Sequence, residues 1–500
     1  MTLDAHPHNF RFLLVAALCI LTFKSLVYGL ENQISITTDD FGEDKNMPFG
    51  FPIGNTGSDS APPAYPPPQA SLDVDGYPVA PPPLRLVQVH AFVRHGERTP
   101  VGVRLNGPPA NVPEHWNMCR TARRFQTSVS EMLNSESSSS QYHHPFHVKR
   151  IVERPDGRAV EGECLLGELT DLGRQSTYNY GVNLRRIYID RLSFLPDKLE
   201  TPDTVYFRTT NVPRTTESLQ EIIRGLYPKE TSLPPIRVRN GKDENLIGNT
   251  YSCKRLEALQ IGFAKAAADA YNPTLERLDA TLSKYIDGNP IRVDGRPRAS
   301  GIFDTIRSAV AHGIEVPAEF KNETIISSIE RAVTSEWFSG YKTEEVRRLG
   351  MGRLLDDMMR KMQHRIAKPE QDPLKLLVHS THDSGLAALC QTLDVYDERW
   401  PAFTASVTFE LFKDTSGEGG SSPGQSLRLF SRLSKSSPKH YVRMRYQNKT
   451  MTLPICAAEG KHLPGHPEFC TLEAFKSRVE QLTPKDWTEE CSLGTGSKHR

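Results

Sequence analysis

The 500-residue sequence lacks an excess of charge, an internal repeat and any compact spacing of metal-binding side chains. Its 61 lysines and arginines nearly balance 60 aspartates and glutamates. The formal net charge of +1 disfavours nucleic acid or an anionic membrane surface as the main partner. The sixteen histidines show no ligand pattern typical of a metal site, so we predict no metal and no other cofactor. Any binding of anions must therefore depend on a local cluster of arginines.

The apolar run near the N-terminus, Phe12–Phe23, is shorter than a membrane span, which needs about 20 residues. It follows Arg11 and precedes small residues where a signal peptidase could cleave, after Gly29. We therefore predict a signal peptide at 1–29, no stable membrane span after cleavage, and a location in the lumen of the secretory pathway. The protein would be secreted or reside in a lysosome- or vacuole-like compartment. An uncleaved signal anchor is the alternative, because the residues after Lys24 remain apolar.

Cysteine is scarce, and its number outside that segment is odd. Of eight cysteines, Cys19 lies in the apolar run, and the remaining seven permit at most three disulfides and one free thiol. Cys390 follows Leu-Ala-Ala-Leu, which indicates a buried helix face, so we expect it to be the free thiol. N-glycosylation sequons at Asn322 and Asn448 fit the same compartment, although such tripeptides often arise by chance.

Proline is concentrated in residues 30–83, which also carry an acidic patch. Proline runs favour extended conformations without a packed core, so we predict a linker there. A stiff spacer is a better interpretation of this segment than a ligand for an SH3-type domain. We expect the folded part to extend from residue 84 to residue 500.

Three apolar segments rich in β-branched residues end in polar side chains: Leu86–Val93, Thr204–Arg208 and Leu374–His379. Helical patterns lie between them, at 168–193 and 215–226. Strands separated by helices predict an α/β fold with a doubly wound, mainly parallel sheet flanked by helices. Because the carboxyl ends of parallel strands meet at one edge, the three polar ends should line one crevice.

Residues 235–370 have a mostly helical pattern. Met351, Leu355 and Met358 recur at helical spacing, which is typical of a packed core face. We predict that this region contains an inserted, mostly helical cap over the sheet. Two later segments, 406–412 and 441–446, have the character of added antiparallel strands.

The segment Arg94–Pro100 has residues suited to binding and attacking a phosphate group. Arginine binds two phosphate oxygens through its planar fork and stays charged, and Arg94 and Arg98 flank His95 at a strand terminus. Their charges should lower the pKa of His95 and keep its imidazole neutral and nucleophilic at mildly acidic pH. A bare Arg-His-Gly triplet would indicate only an exposed basic loop, but Arg-His-Gly-x-Arg-x-Pro directly after an apolar strand is far more specific.

This segment resembles the signature of the histidine acid phosphatases, a branch of the phosphoglycerate-mutase-like superfamily. Segments 167–173, 206–215 and 380–383 resemble further motifs of the same family in matching order, and the resemblance spans roughly residues 85–491. Within the family it is closest to the prostatic-type and type 6 lysophosphatidic acid phosphatases. The resemblance implies the phosphoglycerate-mutase-like version of the α/β fold described above.

The resemblance also implies roles for individual residues. His95 would attack phosphorus and form a phosphohistidine, and Asp383 would protonate the leaving group. Arg214 would support the site from behind the phosphate-binding residues. Those residues, which we call the phosphate clamp, would be Arg94, Arg98, Arg208 and His382. The implied disulfides are Cys253–Cys491, Cys456–Cys470 and Cys119–Cys164.

The sequence therefore predicts an acid phosphatase that hydrolyses small-molecule phosphate monoesters. The alternative is a catalytically idle phosphate-binding or adhesion module on the same fold. A mutase is disfavoured by export and by the His-Asp pair. Glu97 departs from the family pattern, and we expect it to add a negative charge beside the clamp. The sequence is also compatible with a homodimer.

Overall fold

A computed structural model describes residues 71–120, 124–126, 147–149, 151–230, 235–416 and 439–493. These residues belong to one unit, Ala64–Arg500. The predicted signal peptide and most of the predicted linker lie outside the described residues.

The strands of the described region form one large sheet and two small hairpins. The large sheet has the order β12-β13-β10-β9-β1-β8-β6-β7, with β11 paired to β10. The strands are β1 (Leu84–Arg94), β2 (Arg124–Gln126), β3 (His147–Lys149), β4 (Val152–Glu153), β5 (Ala159–Val160), β6 (Val205–Thr209), β7 (Ile236–Arg237), β8 (Leu376–Thr381), β9 (Ser406–Asp414), β10 (His440–Tyr446), β11 (Lys449–Met451), β12 (His462–Leu463) and β13 (His466–Thr471).

Strands β1, β8, β6 and β7 are mutually parallel, and they include the three strands that the sequence predicts. The segments predicted as added strands are β9 and β10, which pair antiparallel on the other side of β1. The α/β class is confirmed, and the parallel half of the sheet is the half that supports the site described below.

Helices occupy most of the remaining described chain. The α-helices are α1 (Asp171–Arg185), α2 (Pro213–Leu226), α3 (Lys254–Leu275), α4 (Asp279–Leu282), α5 (Ala299–Ala311), α6 (Glu323–Phe338), α7 (Glu344–Arg347), α8 (Arg353–Ala367), α9 (Asp383–Thr392), α10 (Leu472–Leu482) and α11 (Trp487–Glu490). Two π-helical turns, Arg186–Arg191 and Arg348–Gly352, adjoin α1 and α8. The longer 3₁₀ turns are Ala318–Lys321 and Ser339–Lys342; the three-residue turns are Pro202–Thr204, Gly241–Asp243, Glu276–Leu278, Ser283–Tyr285 and Pro454–Cys456.

Helices pack against β1 on both faces of the sheet. Side chains alternate along a strand, so Val89, Ala91 and Val93 share a core with α1 and α2. Phe92 points the other way, into a core that includes side chains of α8 and α9. This two-sided arrangement is what a doubly wound sheet requires.

The cap has a core of its own, formed mainly by side chains of α3, α5 and α6. Helix α8 does not belong to it. Met351, Leu355 and Met358 are buried as predicted, but they pack with the sheet. The predicted cap at 235–370 therefore contains one helix of the main α/β layer.

The packed region begins earlier than Leu84. Leu72, Val74 and Tyr77 are buried in the core beneath α1 and α2, and the Tyr77 hydroxyl donates to Glu410 Oε1 at 2.7 Å. The predicted linker boundary at residue 83 is corrected accordingly. These few apolar residues are inconspicuous among prolines, and only their tertiary contacts show that they belong to the domain.

Three disulfides join the pairs that the resemblance implies: Cys119–Cys164, Cys253–Cys491 and Cys456–Cys470. Cys390 is a buried free thiol, as predicted. Asn322 and Asn448 are both exposed. Within the described ranges, every helix is too short or too polar to cross a membrane.

Candidate active site

The site forms where β1 and β8 end side by side. Arg94 pairs with Thr381 in the parallel register, so the residues that follow, His95 and His382, leave the sheet together. The His95 main-chain N–H donates to the Thr381 carbonyl at 3.0 Å. The two imidazole rings lie edge to face with centroids 5.5 Å apart. The crevice predicted at the strand ends thus brings the two histidines together.

His95 is only 1% exposed, and its orientation is fixed by its own loop. Its Nδ1 lies 2.9 Å from the Gly96 carbonyl oxygen. Because a carbonyl can only accept, Nδ1 carries the hydrogen and Nε2 carries the lone pair. Burial, followed by the charges of Arg94 and Arg98, lowers the pKa of His95 well below its ordinary value. Both effects favour the neutral imidazole, with its lone pair on Nε2.

Arg94 and Arg98 are buried beside His95, and each pairs with a carboxylate. Arg94 Nη2 lies 2.6 Å from Asp383 Oδ2, and Arg98 Nη2 lies 2.8 Å from Asp304 Oδ1. The Arg94 guanidinium also lies 4.1 Å from the centre of the Phe403 ring. Among the described residues nothing accepts from the buried Nε of either arginine, which leaves donors for an oxyanion.

Arg214, and not Arg208, is the third arginine beside the two histidines, so the structure does not place Arg208 where the clamp was predicted. The charge of Arg214 lowers the pKa of both His95 and His382. Arg208 is 2% exposed and forms an ion pair with Glu244 Oε1 at 2.5 Å. On β6 it is in register with His379, inside the sheet.

The different positions of Arg208 and Arg214 have a simple geometric reason. A strand alternates its side chains between two faces, and Arg208 lies on the face of His379 and Glu244. The chain then turns after Thr209, and Arg214 lies in the first turn of α2. The prediction chose Arg208 because it lies close to the strand end. The side chain that reaches the crevice is instead that of Arg214, in the first turn of α2.

His382 and Asp383 occupy the start of α9. His382 Nε2 lies 3.0 Å from Thr210 Oγ1, and burial and the charge of Arg214 lower the pKa of His382 to about 3. Asp383 Oδ1 accepts the N–H of Ser384 at 2.8 Å. Burial raises the pKa of Asp383, but the charges of Arg94 and Arg98 outweigh burial and lower it overall.

The family model described as the histidine phosphatase superfamily (branch 2) matches residues 85–447. The chain belongs to this superfamily. It is 34% identical to a probable acid phosphatase of Schizosaccharomyces pombe over 442 residues, which cover 82% of this chain and 94% of that protein. Human lysosomal acid phosphatase is 27% identical over 347 residues, covering 66% and 73% of the two chains.

Solved structures confirm the fold. The apo form of Hafnia alvei phytase superposes with a TM-score of 0.51 at 15% identity, over 83% of this chain and all of that one. The protein is an acid phosphatase, a histidine phosphatase that hydrolyses phosphate monoesters.

Close backbone packing holds the histidine loop of the phosphatase against α1. A Cβ on Gly96 would lie 2.2 Å from the Gly173 carbonyl oxygen, and a Cβ on Gly173 would lie 2.1 Å from the Glu97 carbonyl oxygen. Thr170 caps α1 by accepting the Gly173 N–H, and its main-chain N–H donates to Glu97 O. The two family motifs around residues 96 and 170 are thus two halves of one contact.

The Glu97 carboxylate, expected beside the clamp, accepts a hydrogen bond from the Ser176 hydroxyl of α1. The side chain is completely buried. The Glu97 carboxylate is thus bound by a hydroxyl of the supporting helix.

Several site residues of the phosphatase escaped sequence reasoning. Asp304, on α5 of the cap, pairs with Arg98 and accepts the Val101 N–H at 2.9 Å. Trp400 donates to Asp383, and Phe403 lies beneath Arg94. Segment 400–403 resembles the family, but no role was predicted for Trp400, Phe403 or Asp304, because they reach the site through tertiary packing of the cap and of one loop. In the ranges that the structure describes, no group of three or more histidine, cysteine or acidic side chains is arranged to hold a metal.

Proposed function

We propose that the phosphatase works through a phosphohistidine on His95, with Asp383 as the proton donor. In the first step, Nε2 forms a bond to phosphorus while the bond from phosphorus to the leaving oxygen breaks. Asp383 gives its proton to that oxygen. In the second step, a water molecule attacks phosphorus, the P–N bond breaks, and Asp383 takes the proton of the water. The observation that carries the proposal is the hydrogen bond from His95 Nδ1 to the Gly96 carbonyl, which leaves the lone pair on Nε2 beside the buried Arg94 and Arg98 and the half-buried Arg214.

Arg94, Arg98 and Arg214 would hold the phosphate oxygens and stabilise their charge as the bonds change. The Nε of Arg214, like those of the other two, is buried, with no hydrogen-bond partner among the described residues. Buried and fixed donors stabilise developing charge far better than mobile water does.

Asp383 must be protonated to act as an acid, yet its pKa is lowered while Arg94 pairs with it. A phosphate dianion would compete for Arg94 and would place negative charge next to the carboxylate. Both effects raise the pKa of Asp383. Substrate binding thus prepares the acid, which supports activity at mildly acidic pH.

His382 would assist through Nδ1. If the Thr210 hydroxyl donates to Nε2, the ring carries its hydrogen on Nδ1 and can donate to a phosphate oxygen. This tautomer is assigned from the neighbouring hydroxyl.

The direct test is hydrolysis of p-nitrophenyl phosphate by wild type and by His95→Ala at pH 5. We expect kcat of His95→Ala to fall by about a thousandfold or more. His90→Gln is the matched control, because His90 is also buried and lies on β1, the strand that ends just before His95. Comparable kcat values for wild type and His95→Ala would refute the assignment and would favour an idle or differently built site.

We infer further that the protein works in the secretory pathway, either secreted or in a lysosome-like lumen. Three formed disulfides and the human lysosomal relative support an oxidising, luminal location. Glycans at Asn322 and Asn448 belong to the same proposal. A mass decrease after treatment with an N-glycosidase would support it, and an unmodified, cytosolic protein would contradict it.

A further inference from the structure

The loop between α9 and β9 brings Trp400 to the carboxyl group of Asp383. The Trp400 indole Nε1 donates to Asp383 Oδ2 at 3.1 Å. This is the same oxygen that pairs with Arg94 at 2.6 Å. The other oxygen, Oδ1, accepts the N–H of Ser384. The carboxyl group is therefore held at both oxygens.

A buried carboxylate of the cap fixes the position of Trp400. Glu330, on α6, is 0% exposed, and its Oε1 accepts the Trp400 main-chain N–H at 2.8 Å. Its Oε2 accepts from Arg399 Nη1 at 3.0 Å. Two consecutive loop residues are thus bound by one buried side chain. Such a charge is tolerated in the interior only when it is paired and hydrogen-bonded, so this arrangement is well defined.

Aromatic side chains of the cap hold the indole ring itself. The ring centroids of Phe338, Trp337 and Phe303 lie 5.2, 5.9 and 6.0 Å from that of Trp400. Phe303 belongs to α5, and the other two belong to α6. Two edge contacts, with Trp337 and Phe303, and one tilted contact, with Phe338, at these separations favour one ring orientation. The indole N–H is therefore aimed at Asp383 by elements that do not include any clamp residue.

We propose that Trp400 is a positioning residue for the proton-transfer step: its indole N–H keeps the Asp383 carboxyl group oriented toward the leaving oxygen. The proposal rests on the proposed function, in which Asp383 is the acid. Phosphate bound to Arg94 would share the charge of that guanidinium and weaken its hold on Asp383 Oδ2. The Trp400 N–H, which also contacts Oδ2, does not belong to the clamp and would stay in place.

The protonation state of Asp383 depends on groups from several elements. Arg94 acts from the end of β1 and Arg98 from the segment after it. His382 acts from the preceding residue, and Arg214 from α2. The Trp400 donor adds to these, since a hydrogen bond to an ionised carboxylate favours ionisation. Its removal should raise the pKa of Asp383.

The test is Trp400→Phe, which removes the N–H and retains an aromatic ring. We expect kcat/KM for glycerol 2-phosphate, a poor leaving group, to fall about tenfold, since only part of the effect of the acid is lost. For p-nitrophenyl phosphate, whose leaving group needs little protonation, we expect less than a threefold change. The basic limb of the pH profile should move to higher pH, because Asp383 then loses its proton less readily.

The matched control is Trp487→Phe, which removes an indole hydrogen bond of 2.9 Å to the Leu349 carbonyl, outside the site. We expect wild-type values on both substrates. Glu330→Gln loosens the loop and keeps the indole, so it should show the same leaving-group dependence with a smaller loss of kcat/KM. It replaces Trp400→Phe as the test variant if Trp400→Phe does not fold.

Equal losses on both substrates with an unmoved pH profile would show that Trp400 is only a packing residue and would overturn the proposal. The same experiment includes His95→Ala. Substantial activity in His95→Ala would refute the proposed function, whereas an inactive His95→Ala together with a leaving-group-independent Trp400→Phe would refute only the role of Trp400.

Discussion

Strands β1 and β8 each contain one buried histidine and are each followed by another, and the two resulting pairs have different surroundings. His90 and His379 lie inside the sheet with parallel rings 6.4 Å apart. His95 and His382 lie just beyond the ends of the same strands, edge to face at 5.5 Å. All four have a lowered pKa, with burial as the largest cause. Burial alone therefore makes a histidine neutral but does not make it a catalyst.

The two histidine pairs differ in the side chains that surround them. His90 Nε2 lies 2.9 Å from Gln88 Oε1, and His379 stacks on Phe92. The nearby arginine, Arg208, is paired with Glu244. His95 and His382 instead meet three arginines and Asp383. A neutral imidazole becomes useful for phosphoryl transfer only where anion donors and an acid converge, which here is past the strand ends.

The largest effect that would sharpen this comparison concerns Asp383. In Asp383→Asn the carboxyl proton is lost while the shape is kept, so we expect kcat/KM to fall by about 100- to 10,000-fold on alkyl phosphates. The loss should be much smaller on p-nitrophenyl phosphate. Rates on a series of leaving groups provide the measurement, and a uniform loss would contradict the proton-donor role.

The next largest effect distinguishes Arg214 from Arg208, the two arginines of segment 206–215. Arg214→Ala should lower kcat/KM by about 100- to 1,000-fold, as expected for a lost charge donor. The acidic limb of the pH profile should also move to higher pH, because the charge of Arg214 lowers the pKa of His95.

Arg208→Ala is the counterpart. It leaves Glu244 buried without its ion-pair partner, so we expect about 3–5 kcal/mol less free energy of unfolding. The kcat of the folded fraction should stay within a few fold of wild type. Urea unfolding and active-site titration separate the two quantities, and a large kcat loss with unchanged stability would restore the original assignment of Arg208.

Binding of a dianion should be coupled to proton uptake by Asp383. Sulfate does not titrate between pH 4 and 7, so any pH dependence of its inhibition constant comes from groups of the protein. We expect inhibition to weaken with rising pH by at most about tenfold per pH unit, and to become less pH-dependent in Asp383→Asn. Identical pH dependence in the two proteins would exclude Asp383 as the coupled group.

The smallest effect concerns the pair inside the sheet. The pKa of His90 is lowered to about 3, below its unfolded value of about 6.5. Between these values the unfolded chain binds the extra proton, so His90 makes the fold less stable as pH falls below 6.5. The contribution reaches about 1.4 kcal/mol per pH unit.

His90→Gln removes that proton linkage, so its loss of unfolding free energy between pH 7 and pH 4.5 should be smaller than that of wild type. Urea denaturation at the two pH values measures it. An equal or larger loss in the variant would show that His90 is not a buried neutral group.

The sequence was sufficient for those parts of the site that are encoded locally. The segment Arg94–Pro100 and the His382-Asp383 pair follow apolar strands, and parallel strands bring their ends together. Sequence did not distinguish Arg208 from Arg214, because the side that each faces depends on where β6 ends and α2 begins. Asp304 and Trp400 depend on how the cap and one loop pack, which no local pattern specifies.

The most direct test of the central claim is capture of the phosphorylated enzyme. The protein is mixed with ³²P-labelled substrate and quenched in alkali, where phosphohistidine survives, and the labelled peptide is then sequenced by mass spectrometry. We predict label on His95, and no label in His95→Ala, while His90→Gln is labelled like wild type. Label on another residue, or turnover in wild type without any labelled His95, would contradict the account.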